Sequence, residues 1–126
     1  MTQPRRKVLI VDDDPALLET AAQLVERAGF AAHTCAARVN RLNIIRDARP
    51  DLVLMDVNMP FLSGADVMKL MKETPELKDI RVVLFSSNDE WSLRRMARET
   101  GAWGFIPKTS MGLDFAARVS RALEGL

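Results

Sequence analysis

The segment Asp51-Leu52-Val53-Leu54-Met55-Asp56 leaves few choices of fold. Four apolar residues follow one another with no polar residue between them, and Pro50 in front and Met59-Pro60 behind bound the run. A strand with one wet face alternates apolar with polar, whereas an unbroken run reads as a strand buried on both faces, the pattern of a parallel sheet covered by helices. A carboxylate at the end of such a strand is costly to desolvate unless it meets a cleft, a cation or a hydrogen-bond donor. Asp56 therefore predicts partners. Three other runs end in groups that can serve: Val8 to Val11 in Asp12, Asp13 and Asp14, Val82 to Phe85 in Ser86, and Phe105 to Pro107 in Lys108.

The stretches between these runs carry helical spacing. Asp14-Pro15 predicts a helix start, with Asp14 as cap and Pro15 at the first helical position, where its missing N–H is no loss. Leu17, Leu18, Ala21, Leu24, Val25 and Ala28 continue that helix until Gly29. Phe30 to Cys35 predicts a weaker second strand at a sheet edge, because His33 and Thr34 break the apolar run. A second helix places Val39, Leu42, Ile45 and Ala48 inward and Arg38, Arg41, Arg46 and Arg49 mostly outward, and Pro50 ends it. Pro60 to Gly64 reads as a loop, and Ala65 to Lys72 as a helix burying Val67, Leu70 and Met71 up to Thr74-Pro75. Arg81 to Phe85 is the fourth strand. Asn88 or Asp89 can cap a helix with Leu93, Met96 and Ala97 inward, closed by Gly101. Trp103 to Pro107 is the fifth strand, and Ser110 can cap a last helix through Met111, Phe115, Val119 and Ala122.

Five βα units of this kind predict an α/β fold: a doubly wound, five-stranded parallel sheet with five helices and right-handed crossovers. In such sheets ligands bind beyond the carboxyl ends of the strands, where the strand order reverses. With the weak second strand at one edge, the order 2-1-3-4-5 sets the first and third strands side by side, so Asp12 and Asp13 meet Asp56. The 126 residues suit one domain spanning 1–126. Eighteen basic against seventeen acidic side chains leave a formal charge of +1, no long-range reason to expect nucleic acid or an anionic membrane. Cys35, the single cysteine, suits a reducing compartment and core packing. Pro4-Arg5-Arg6-Lys7 is followed by too short an apolar stretch for a secretory signal, and no run approaches the ~18 apolar residues of a membrane span. A cytoplasmic protein without membrane insertion is expected.

Three carboxylates gathered without a cation raise one another's pKa and cost stability, so the cluster asks for a metal. Oxygen ligands with solvent access suit Mg²⁺, which keeps several waters and favours a phosphate oxygen among its ligands. Zinc does not fit, since the single histidine, His33, stands on another strand without a thiolate companion. A lysine and a hydroxyl at the same crevice are what a phosphoryl group on Asp56 would need.

This set resembles the receiver domain of two-component response regulators, in the stand-alone form of the chemotaxis regulators, with a flavodoxin-like fold, and the resemblance covers essentially the whole chain. The matching motifs are Val8-Leu9-Ile10-Val11-Asp12-Asp13-Asp14, Asp51 to Pro60, Val83-Leu84-Phe85-Ser86-Ser87, and Gly101-Ala102-Trp103-Gly104-Phe105-Ile106-Pro107-Lys108. The resemblance implies that Asp56 accepts a phosphoryl group from the phosphohistidine of a histidine kinase or phosphotransfer protein. It implies that Asp13, Asp56 and the backbone carbonyl of Asn58 bind Mg²⁺ directly, with Asp12 assisting through water. Ser86 would hydrogen-bond the phosphoryl group, Lys108 would pair with it, and Phe105 would be the aromatic that turns inward on activation. It implies a signalling domain whose only catalysis is its own phosphorylation and dephosphorylation. No attached output domain is expected after the fifth helix, so the output is contact with another protein.

Thr109 follows Lys108 where the family usually has proline in a cis peptide, and Phe105 stands where tyrosine is common. Taken singly, Asp12 to Asp14 read as a helix cap, Ser86 as a strand-end hydroxyl and Lys108 as a surface lysine; the shared crevice gives them meaning. Trp91 and Trp103 fit a partner surface and partly buried packing equally well, and Arg94, Arg95 and Arg98 fit a solvated helix face better than a docking patch. A flavin-binding relative of the same fold is disfavoured, because its first loop must cradle a phosphate and three aspartates there repel one without a metal. A haloacid-dehalogenase-type phosphatase wants an acid where Asn58 stands. The alternative kept is an interaction domain with the receiver fold that works without phosphorylation.

Overall fold

A computed structural model describes residues 5–36, 40–57, 64–112 and 114–126. Its elements are β1 (Lys7–Val11), α1 (Pro15–Arg27), β2 (Ala31–Cys35), α2 (Arg41–Ala48), β3 (Leu52–Met55), α3 (Gly64–Glu73), β4 (Arg81–Ser86), α4 (Glu90–Thr100), β5 (Gly104–Pro107), a 3₁₀ turn (Lys108–Gly112) and α5 (Phe115–Leu123). The strands form one parallel sheet in the order β2-β1-β3-β4-β5, as the interrupted second run predicts.

The unbroken apolar run of β3 is used on both faces. Leu52 and Leu54 pack with Val8, Ile10, Val83, Phe85 and Ile106 against α1 and α5. Val53 and Met55 pack with Leu9, Val11, Val82 and Leu84 against Ile45, Met68, Met71, Leu93 and Ala97 of α2, α3 and α4. Consecutive strand residues point to opposite faces, so each residue of the run belongs to one of two cores, and none is left for water. Cys35 is buried in the second of these, as core filler.

Helix ends follow the local chemistry with a few departures. The Asp14 carboxylate accepts from the N–H groups of Ala16 and Leu17, and Asp89, not Asn88, caps α4 through the N–H of Ser92. Gly101 closes α4 in the left-handed region at φ +77°. The first turn after β5 differs from expectation: Ser110 is buried in the 3₁₀ turn and donates to the Pro107 carbonyl at 2.7 Å, so α5 starts later, with Asp114 at its N-cap. In α3, Met68 rather than Leu70 is buried beside Val67 and Met71, and in α2 Arg41 is buried rather than outward. An arginine stem can be covered by apolar neighbours, which the outward assignment overlooked. Arg38, Val39 and the loop from Pro60 lie outside the described residues. No helix among the described residues is long and apolar enough to cross a membrane.

Candidate functional site

The ladder fixes the first two carboxylates. Val11 pairs with Met55, and hydrogen bonds run one residue past the strand ends, from the Asp12 N–H to the Cys35 carbonyl and from the Asp56 N–H to the Val11 carbonyl, both at 3.1 Å. Asp12 and Asp56 therefore stand at the same level on adjacent strands. The three consecutive aspartates then divide. Asp12 is buried, its Oδ1 accepting from the Asp14 N–H at 3.0 Å; Asp13 is half-exposed; Asp14 is exposed and spent on capping α1. One carboxylate oxygen from each of Asp12, Asp13 and Asp56 lies within 4.8 Å of the others.

Lys108 reaches the cluster from the end of β5. Its Nζ lies 2.7 Å from Asp12 Oδ2 and 3.4 Å from Asp56 Oδ2, with the Phe85 ring 5.8 Å away. Burial pushes the Asp12 carboxyl up from its ordinary value, and the Asp56 charge adds to this, against the pull of the Lys108 contact and the Asp14 N–H. Burial alone would lower the Lys108 pKa, but the two carboxylates outweigh it and hold the ammonium above its ordinary value. The group is thus a cation clasped by acids. The Asp12–Lys108 contact is an ion pair at 2.7 Å, and the ammonium is what faces the buried Asp12 Oδ2. The gathered carboxylate oxygens of Asp12, Asp13 and Asp56, a set of hard oxygen ligands with no nitrogen or sulfur ligand among them, fit a hard divalent cation.

Ser86 closes β4, fully buried, and its hydroxyl is engaged by Asn88. Phe105, on β5 beside Leu84, is half-buried, with the Arg94 guanidinium 5.9 Å from its ring centre. The structure brings Asp12, Asp13, Asp56 and Lys108 together in one crevice, while Asn58 lies outside the described residues. The peptide between Lys108 and Thr109 is trans. Sequence reasoning passed over Asn88 as a crevice residue, because beside Asp89 it reads as one of two candidate helix caps. Trp91 and Trp103 are 68% and 48% exposed, with Arg95 and Arg81 lying 5.4 and 5.2 Å over their rings. Arg94 and Arg95 also pair loosely with Glu90 and Glu99 along α4, as a solvated face does.

A doubly wound sheet whose strand ends bring acids and a lysine together defines an α/β domain suited to holding a cation beside an anion. The family model of the response regulator receiver domain matches residues 8–120, and the chain belongs to that family. It is 31% identical over 118 residues to the response regulator MprA of Mycobacterium sp. (strain KMS), a match covering 94% of this chain and 50% of that protein. It is 28% identical over 124 residues to the DNA-binding response regulator MtrA of Mycolicibacterium smegmatis, covering 98% and 53%. The chain spans about half the length of these curated relatives. A solved response regulator from Desulfuromonas acetoxidans shares the fold with a TM-score of 0.84 at 23% identity, covering 96% of this chain and 98% of that one.

Proposed function

We propose that the chain is a working phosphoacceptor receiver, a single signalling domain over residues 1–126, in which Asp56 takes a phosphoryl group from the phosphohistidine of a histidine kinase or phosphotransfer protein. The observation that carries this reading is the Lys108 ammonium lying between Asp12 and Asp56 at 2.7 and 3.4 Å, on an acceptor that is nearly buried yet part of an acidic crevice. An Asp56 carboxylate oxygen attacks phosphorus, the O–P bond forms as the P–N bond breaks, and the electron pair leaves on the imidazole nitrogen. Lys108 pairs with one phosphoryl oxygen, and the Ser86 hydroxyl donates to another. Asp13, Asp56 and the Asn58 carbonyl would hold Mg²⁺, with Asp12 assisting through water. When bound, the ion neutralises the carboxylates and the charge on the transferring oxygens. Hydrolysis of the acyl phosphate, catalysed by the same crevice, returns the resting state.

The test is a mass measurement after treatment with acetyl phosphate and Mg²⁺. Addition of one phosphoryl group, removed by hydroxylamine, is expected; no addition would favour the interaction domain that works without phosphorylation.

The output we propose is a protein contact made by the face of α4, β5 and α5. Ser86 moves toward the phosphoryl group, and the Phe105 ring turns into the space behind it. Beryllofluoride with Mg²⁺ should shift amide resonances across residues 86 to 108, Trp103 included, and leave α2 largely unmoved. Shifts confined to the acidic residues would uncouple the crevice from this face. The name of MtrA assigns it DNA binding, in a protein of roughly twice this length. For this chain the formal charge of +1 supports protein as the recipient. Sequence-specific retention of a DNA fragment at physiological salt would overturn that choice.

A further inference from the structure

The residue that neither the acids nor the Phe105 switch accounts for is Asn88, in the connection between β4 and α4. Its backbone N–H donates to Ser86 Oγ at 3.3 Å, its Oδ1 accepts from the same hydroxyl at 3.3 Å, and its Nδ2 donates to Met96 Sδ at 4.0 Å. None of this is needed to start α4, because Asp89 supplies that cap at 2.9 Å from the Ser92 N–H. Ser86 is fully buried, and Met96 packs against the same core that Phe105 touches.

We propose that Asn88 is a positioning residue that holds the Ser86 hydroxyl in the resting state and releases it on activation, passing the change to α4 through Met96. The proposal rests on the phosphoacceptor reading of Asp56. A serine hydroxyl has one proton to donate, and a phosphoryl oxygen can only accept. To bond a phosphoryl oxygen on Asp56, Ser86 must therefore withdraw its proton from Asn88 Oδ1. The Asn88 N–H can follow an Oγ lone pair as Ser86 moves, so the one bond that has to be given up is the bond to Oδ1. Oδ1 and Nδ2 belong to one planar carboxamide. Turning Oδ1 away from Ser86 consequently moves Nδ2 against the Met96 sulfur, on the inner side of α4. A polar route thus reaches α4 in parallel with the aromatic one through Phe105.

The experiment titrates the full chain with beryllofluoride at fixed Mg²⁺, in the wild type, Asn88→Ala, Ser86→Ala and the double variant. Without its competing acceptor, Asn88→Ala should bind beryllofluoride roughly two- to tenfold more tightly than wild type, the span expected from one ordinary hydrogen bond. In the Ser86→Ala background the same substitution should change nothing, because the two residues act through one hydroxyl. The Met96 methyl resonance of Asn88→Ala should also move toward its position in beryllofluoride-bound wild type. Asn88→Gln, which displaces the carbonyl by one methylene, serves if Asn88→Ala does not fold. Equal affinity of wild type and variant, or the same gain with and without the Ser86 hydroxyl, would overturn the proposal. Failure of the wild type to bind beryllofluoride at all would instead overturn the phosphoacceptor reading, and this proposal with it.

Discussion

Asp56→Asn is expected to gain no phosphoryl mass from acetyl phosphate and Mg²⁺ under conditions where the wild type is modified. The amide oxygen is a poor nucleophile, so the step loses its attacking group while the strand keeps its packing. Asp56 is nearly buried at the end of β3, and its N–H stays on the Val11 carbonyl whatever the side chain. The variant should remain folded, which circular dichroism checks. The Lys108 ammonium retains Asp12 at 2.7 Å and loses only the more distant charge at 3.4 Å. Modification of the variant to the wild-type extent would move the acceptor to another residue.

Asp12→Asn should make the metal-free protein more stable and its response to Mg²⁺ weaker. Burial, the largest cause, and the Asp56 charge raise the Asp12 carboxyl above its ordinary 3.8. The folded state then binds this proton more tightly than the unfolded chain does. Its stabilising contribution is complete below pH 3.8 and is lost as pH rises through the folded value. At neutral pH the net cost stands, because the Lys108 ammonium 2.7 Å from Asp12 Oδ2 offsets burial and the Asp56 charge only in part. Asparagine cannot ionise, so the gain is about 1 kcal/mol, or about 4 °C in Tm, and this part of the pH dependence disappears. A supporting residue of a metal site typically contributes about 10- to 100-fold in affinity. Thermal scans with and without Mg²⁺ read both effects. A variant less stable than wild type without metal, or one stabilised by Mg²⁺ as much as wild type, would contradict this account.

The parts of the fold legible in the sequence are those where one residue type has one physical solution. An unbroken Leu52 to Met55 run has to be covered on both faces, and that requirement yields the parallel sheet, its helices and the crevice at its strand ends. Asp14-Pro15 and Gly101 are local signals with local causes, and they mark helix ends correctly. The misplaced residues are those whose fate depends on tertiary neighbours. Ser110 looks like a helix cap in sequence, but its hydroxyl is taken by the Pro107 carbonyl inside the 3₁₀ turn. Leu70 and Met68 exchange roles because the buried stripe of a short helix is set by the neighbour it meets, and both fit the periodicity. At the crevice, charge made Asp12, Asp13, Asp56 and Lys108 legible, since like charges brought together demand a cation. Asn88 carries no charge, so its hold on Ser86 emerges only from coordinates.

The placing of the ammonium has a consequence for how the molecule is assembled during synthesis. Strands β1, β2 and β3 all precede β5 in the chain, and β1 and β3 are neighbours in the sheet, so any docking of those two before β5 arrives brings Asp12 and Asp56 together without Lys108. A nascent chain that closes this seam early buries two like charges with nothing between them, and the repulsion favours its reopening. Arrival of β5 supplies the counter-charge and removes the penalty. The same lysine that would grip a phosphoryl oxygen in the finished protein is thereby expected to act as a clasp fastened late, disfavouring a partial sheet of β1 to β3 alone.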